Sequence, residues 1–181
     1  AVGMPKWSED DQTLARAAQK ELGVKESGLK TEPLGVKDGN QGDRSYGSDD
    51  IAEVGWNLPT VVLRYPGNIP GMIGHHWSSG IAMATPIAHK GTTAGAAAHA
   101  MTVIDLMLDP NLLAEAKKFF AEQTKETKWQ SLIPLDTKPP IYLNRERQQK
   151  YRPVLEKLYF DQSRYSTYLD QLGVTYPTVK K

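Results

Sequence analysis

Three of the four histidines fall in one short stretch, GHHWSSGIAMATPIAHKG, running from Gly74 to Gly91. Imidazole is both the commonest metal ligand and a general acid or base near neutral pH. The chain has no cysteine, so soft-metal or nucleophile chemistry falls to His, Asp, Glu or Ser. His75 and His76 are adjacent and project in different directions in most backbones, so at most one of them reaches a shared site. His89 stands apart, just before a long apolar run. Upstream, Asp49, Asp50 and Glu53 place three carboxylates within five residues. A hydrolytic metal centre needs neutral histidines, carboxylates and one open position for water. Those residue types are present. There is no HExxH, no H-x-D pair and no close pair of histidines on one helix. On residues alone, a metal site and a polar rim around the histidines are both open readings. Ser48, Ser78 and Ser79 sit in no nucleophile-elbow pattern.

The bulk composition narrows the field. The 181 residues carry 22 Lys and Arg against 21 Asp and Glu, a net charge of +1. Near-neutrality without a basic cluster argues against an electrostatic nucleic-acid binder. No apolar run reaches the roughly 18 residues of a membrane helix. The opening AVGMPKW has no basic stretch followed by a long apolar core, unlike a signal peptide. It also lacks an initiator Met, as a processed or partial chain would. Zero cysteine suits a reducing cytosol or a disulfide-free periplasmic protein. The reading places the chain in the cytoplasm, with the periplasm as the alternative.

The elements that must position the histidines can be read in order. Ser8 with Asp11 forms a capping-box-like helix start. Leu14, Ala15, Ala18 and Leu22 form an apolar stripe, and Gly23 stops the helix; one face is expected to lie on a sheet. Val24 to Gly47 is polar and Gly-rich, a surface excursion or a lid. In GSDDIAEVGW (Gly47–Trp56), Asp50 and Glu53 share a face if Ile51–Val54 is a helical turn; the alternative is a plain helix start capped by Ser48. Pro59–Tyr65 (PTVVLRY) reads as a buried strand. The Gly- and Pro-rich loop after it lies where open α/β sheets place ligands.

Thr92–Leu108 is apolar on most sides, as a buried helix would be. His99 within it reads as a satisfied core or interfacial histidine, and His89 as a residue at or just before the helix start. Asp109 then caps a further helix with Pro110 at its first position. The apolar face of that helix is Leu112, Leu113, Ala116, Phe119 and Phe120. Beyond Trp129 the chain turns Pro-rich and extended, with a weaker amphipathic stretch at Glu156–Leu172. Two regions are expected: residues 1–128, and a Pro/Tyr-rich extension, 129–181, packed on them.

Taken together, GSDDIAEVGWNLPT, GHHW and IAHKGTTAGAAAHAM resemble the C-terminal catalytic portion of the M20 family of metallopeptidases and amidohydrolases. The nearest likeness is to its aminobenzoyl-glutamate utilization protein B-like branch. VGMPKWSEDDQTLARAAQ resembles the helix by which that branch re-enters its catalytic domain. The likeness runs from about Val2 to Phe120, with a weaker echo around Pro139–Asn144. Each motif alone is weak; their spacing together is fairly specific.

The resemblance implies an α/β fold: part of a mixed sheet with flanking helices, zinc-exopeptidase-like, without the N-terminal half and the inserted lid domain. It implies hydrolysis of an amide bond of an N-acyl amino acid or aminobenzoyl-glutamate-like substrate. It also implies two divalent metal ions, zinc or else manganese, in the complete enzyme. His89 matches the family's last metal ligand. His75 matches a histidine of the substrate pocket or just behind the metals, and Asp50 matches the Asp of a Ser-Thr-Asp-like motif. The family's other ligands and its catalytic Glu lie upstream, and nothing in this chain matches them, so no catalytic residue is expected here. The partners implied are the amide or peptide substrate, the remaining N-terminal part of the same enzyme, and a further copy or subunit in a homo- or hetero-oligomer. No nucleic acid and no membrane span are expected.

Overall fold

The computed structural model describes residues 2–33 and 50–179. The described residues form six α-helices and two 3-10 helices. The α-helices are α1 (Glu9–Glu21), α2 (Ile51–Asn57), α3 (Pro86–Leu108), α4 (Pro110–Thr124), α5 (Arg145–Leu155) and α6 (Tyr168–Gln171). The 3-10 segments are Trp77–Ala84 and Glu156–Leu158. The expected α/β sheet is overturned: among the described residues no strand forms and the chain is helical. PTVVLRY has the β-branched composition of a strand, but a ladder needs a second backbone. Among the described residues, 60–64 make no backbone–backbone hydrogen bond. Val61 and Val62 are 85% and 61% exposed, so neither side of this run is covered.

The residues up to Trp129, together with those from Tyr176 on, make one compact unit; Gln130–Thr175 make another. The first unit is built on α1. Ser8 accepts from the Asp11 amide at 3.2 Å, and the Asp11 carboxylate accepts from the Ser8 amide at 2.8 Å, so the capping box is complete. Leu14, Ala15 and Ala18 are buried as the stripe requires, and they meet Leu29, Ile69, Ala82 and Ile87 rather than a sheet. Gly23, at φ 66°, ends the helix.

Two glutamines on α1 take over part of what a neighbouring strand would do. Gln12 accepts from the Leu29 amide (2.8 Å) and donates to the Leu29 carbonyl (3.2 Å). Gln19 accepts from the Gly28 amide (2.8 Å) and donates to the carbonyls of Gly28 (3.3 Å) and Pro70 (3.0 Å). These bonds satisfy backbone groups that burial removes from water. Gly28, at φ 67°, sits so close that a Cβ there would lie 2.3 Å from the Gln12 side-chain oxygen.

α3 starts earlier than the apolar run suggested. Thr85 is its N-cap and Pro86 its first residue, the position where proline's missing N–H costs nothing. Only its beginning is buried, at Ile87, Ala88, Gly91 and Gly95. Residues 65–67 cross it there. A Cβ at Gly91 would stand 2.2 Å from the Pro66 carbonyl oxygen, and one at Gly95 2.6 Å from the Tyr65 ring. Past that crossing the helix is uncovered: Met107 and Leu108 are each 77% exposed, and His99 is exposed, which overturns the core reading and leaves the interfacial one. α4 is capped as expected, the Asp109 carboxylate accepting from the Asn111 (2.9 Å) and Leu112 (3.3 Å) amides. Its apolar face is only partly covered: Leu112, Leu113 and Phe119 are exposed, and Ala116 and Phe120 are half-buried.

In the second unit, α5 falls where an extended arm was expected. Its sequence, RERQQKYRPVL, is rich in helix formers, and Pro153 comes only near its end. Of the amphipathic stretch 156–172, only the short 3-10 turn and the one-turn α6 are helical. Thr167 and Asp170 make a capping box for α6. The Gln171 side chain accepts from the Asp161 amide (2.7 Å) and donates to the Tyr159 carbonyl (3.0 Å). Phe160 meets Tyr168 edge-to-face at 6.4 Å.

Candidate functional site

The histidine stretch divides into a braced loop and a helix start. In the loop, His76 caps the 3-10 helix: its Nδ1 accepts from the Ser78 amide at 3.3 Å and shares a 2.9 Å bond with the Ser78 hydroxyl. In the neutral ring this puts the proton on Nε2. The Ile73 amide donates to Ser78 Oγ at 3.3 Å, and the Ser79 hydroxyl donates to the Ile73 carbonyl at 2.5 Å. Asn68 donates to the Ser79 carbonyl at 3.0 Å. His76 is thus a local structural residue, and the small residues around it are tied together.

His75 is exposed and sits at φ 55°. For a residue with a Cβ that backbone costs roughly 1–2 kcal/mol, and the bracing on either side supplies it. His89 lies in the first turns of α3 and is exposed. Its carbonyl accepts from the Thr93 hydroxyl at 2.9 Å. Neither ring nitrogen has a hydrogen-bond partner among the described residues, so the imidazole is available as a donor or acceptor. It lines a groove of about 540 Å3. One wall of the groove is Val2–Lys6, and α3 contributes Lys90, Thr93, Ala94 and Ala97. His75 is not among the residues of that groove.

Asp50 occupies the N-cap position of α2 without a side-chain capping bond, and it is exposed. α2 borders a different hollow, an apolar groove of about 700 Å3 between Ile51, Val54, residues 60–63, Tyr65 and the middle of α3, with His99 on its lining. Ser48 and Asp49 lie outside the described residues.

A hydrolytic zinc is held by at least three protein donors. Among the described residues no group of three or more His, Asp or Glu is placed to hold a metal ion, so His75, Asp50 and His89 are not assembled into one. The chemistry of His89, an imidazole without a hydrogen-bond partner among the described residues at the edge of a groove, fits one ligand position. The set of donors does not fit a complete centre.

The sequence reading overlooked the most strongly coupled group beside His89. Asp11 is fully buried. Its Oδ2 takes the Lys90 ammonium at 2.5 Å as well as the Ser8 amide, and its Oδ1 takes the Tyr176 hydroxyl at 2.7 Å. Burial alone raises the Asp11 pKa; the bonds from Lys90, Ser8 and Tyr176 outweigh it and hold the carboxyl below its ordinary value. Burial, and then the Asp11 carboxylate, push the Tyr176 hydroxyl well above the usual phenol range. Asp11 was visible in the sequence only as the partner of Ser8. No local signal tied it to residues 79 and 165 positions away.

Against known proteins, the chain is 32% identical over 92 residues to a subunit of the p-aminobenzoyl-glutamate hydrolase of Escherichia coli (strain K12). The matched residues are 51% of this chain and 19% of that protein, so the chain spans about a fifth of the length of the relative it matches. No family model matches the chain, and no solved structure does. No helix among the described residues is long and apolar enough to cross a membrane.

Proposed function

We propose that this chain forms one wall of the active site of a metal-dependent amidohydrolase. The reaction is cleavage of the amide bond of an N-acyl amino acid or an aminobenzoyl-glutamate-like substrate. The observation that carries this reading is the 92-residue likeness to part of a p-aminobenzoyl-glutamate hydrolase, joined to the free imidazole of His89 on the edge of a groove. His89 is assigned as a metal ligand, and His75 and Asp50 as contacts to substrate. The general base and the remaining ligands come from polypeptide outside this chain, either the rest of the same enzyme or another subunit. The metal ions, zinc or manganese, would polarise the substrate carbonyl and activate water. This chain's own part is to present one imidazole nitrogen and to shape the groove beside it.

The test is zinc content in the full-length protein. His89→Ala is expected to lose bound zinc and amidase activity together, because removing one ligand opens the centre. His76→Ala is expected to keep zinc, losing only a cap of about 1 kcal/mol. Unchanged zinc in the His89 variant refutes the assignment.

A second reading is favoured by a separate observation. Residues 60–65, the later part of α3 and the face of α4 expose large apolar side chains, more than a self-contained unit leaves in water. On that reading the chain is an interaction module without chemistry of its own. Full-length protein that binds no zinc but forms a stable assembly would favour it.

A further inference from the structure

We propose that Asp11 is a positioning residue for His89: together with Lys90 and Tyr176 it fixes the wall of the His89 groove against the first turns of α3. The inference rests on the reading of His89 given above. The Asp11 carboxylate collects donors from three separate pieces of chain: the Ser8 amide at the start of α1, the Lys90 ammonium on α3, and the Tyr176 hydroxyl far downstream. The groove wall, Val2–Lys6, leads through Trp7 into Ser8. The rest of the groove is α3 itself. Asp11 therefore ties wall to helix through hydrogen-bonded charge, next to the residue assigned a role.

Direction is the reason a charged pair serves here. Apolar side chains of similar volume would hold α1 on α3 at least as firmly, because burying an ion pair is costly. They would not fix how far α3 is turned about its axis. Successive residues on a helix are about 100° apart. With the Lys90 ammonium held on Asp11, the neighbouring His89 is turned away from the core and into the groove. Its exposure and its place on the groove lining agree with that geometry.

The test compares Lys90→Met, similar in length but uncharged, with Lys90→Arg. In the 181-residue chain, NMR of the His89 ring and residue-resolved amide exchange are read. In Lys90→Met the His89 ring signals should shift, and exchange of the amides at 87–91 should rise about 10-fold or more, while α1 and residues 100–106 of α3 stay within about two-fold. Lys90→Arg should restore the wild-type pattern. Unmoved ring signals, or exchange that rises evenly through α1 and α3, would overturn the proposal, since an even rise is what loss of stability alone produces. In the full-length protein, Lys90→Met should weaken zinc binding by about 10–100-fold, the range seen when a group supporting a ligand is lost. If His89→Ala lowers zinc affinity and Lys90→Met does not, the positioning role falls. If His89→Ala changes nothing, the ligand assignment falls, and the ring and exchange measurements still decide whether Lys90 orients His89.

Discussion

Gly91→Ala sets two effects of known size against each other. In an open helix interior, alanine is about 1 kcal/mol better than glycine. At Gly91 the added Cβ would meet the Pro66 carbonyl oxygen at 2.2 Å and the Gly67 Cα at 2.7 Å. Both are backbone atoms and cannot swing aside. Relieving the contact means moving residues 65–67 by about 1 Å off the helix, an overpacking strain of about 1–3 kcal/mol. The same segment lies as close at Gly95, where a Cβ would stand 2.6 Å from the Tyr65 ring, so it has little room to shift and the upper half of the range applies. The net result is a loss of about 1–2 kcal/mol. Gly55→Ala in α2 is the matched control: its Cβ would meet nothing within 4 Å, so the propensity gain appears alone, at most about 1 kcal/mol of stabilisation. Urea unfolding of both variants reads the difference in midpoint. If Gly91→Ala stabilises the protein as Gly55→Ala does, residues 65–67 do not cross α3, and the account of its buried first turns is wrong.

Two further outcomes follow from buried polar groups. The Asp11 carboxyl is depressed in the folded state, so its contribution to stability is fully present above the unfolded value of 3.8 and is lost as pH falls through the folded one. Urea midpoints at pH 6 and pH 3 should therefore differ less in Asp11→Asn than in the wild type. Asp161, also depressed, chiefly by the Ser163 hydroxyl, contributes with the same sign to both proteins and cancels in the comparison; equal pH slopes would contradict the role of Asp11. Gln19→Ala strips bonds from the buried Gly28 amide and the Gly28 and Pro70 carbonyls and should cost about 2–3 kcal/mol. A loss below about 0.5 kcal/mol, the size of an ordinary surface change, would show that water replaces the side chain there.

What the sequence made legible was local. Ser8 with Asp11 and Asp109 with Pro110 are signals within a few residues, and both caps form as read. The stripe Leu14, Ala15, Ala18 and Leu22 is a periodicity of one helix; its first three members are buried, and Leu22, at the C-cap, is half-buried. The failures concern what lies opposite. PTVVLRY has the composition of a strand, but whether a strand forms is decided by another backbone, and none among the described residues pairs with it. The run from Thr92 is apolar on most sides, but burial depends on cover, and residues 65–67 cover only its beginning. Capping by a histidine ring, as at His76, has no sequence signature. Nor do the roles of Gln19 and Lys90: polar side chains are mostly exposed, and their partners in space are invisible to a pattern of spacing.

The bond from Tyr176 to Asp11 also bears on how the chain folds as it is made. Asp11 leaves the ribosome first, Lys90 later, and Tyr176 only 165 residues after Asp11. Until then the carboxylate is one donor short, and the places that Tyr176 and Val179 take against Leu14 and its neighbours are empty. Helix α1 is thus finished by residues translated long after it, once Gln130–Thr175 has emerged. A nascent chain halted before Tyr176 exposes the α1 core to chaperones and proteases, whereas one that has grown past Val179 closes it.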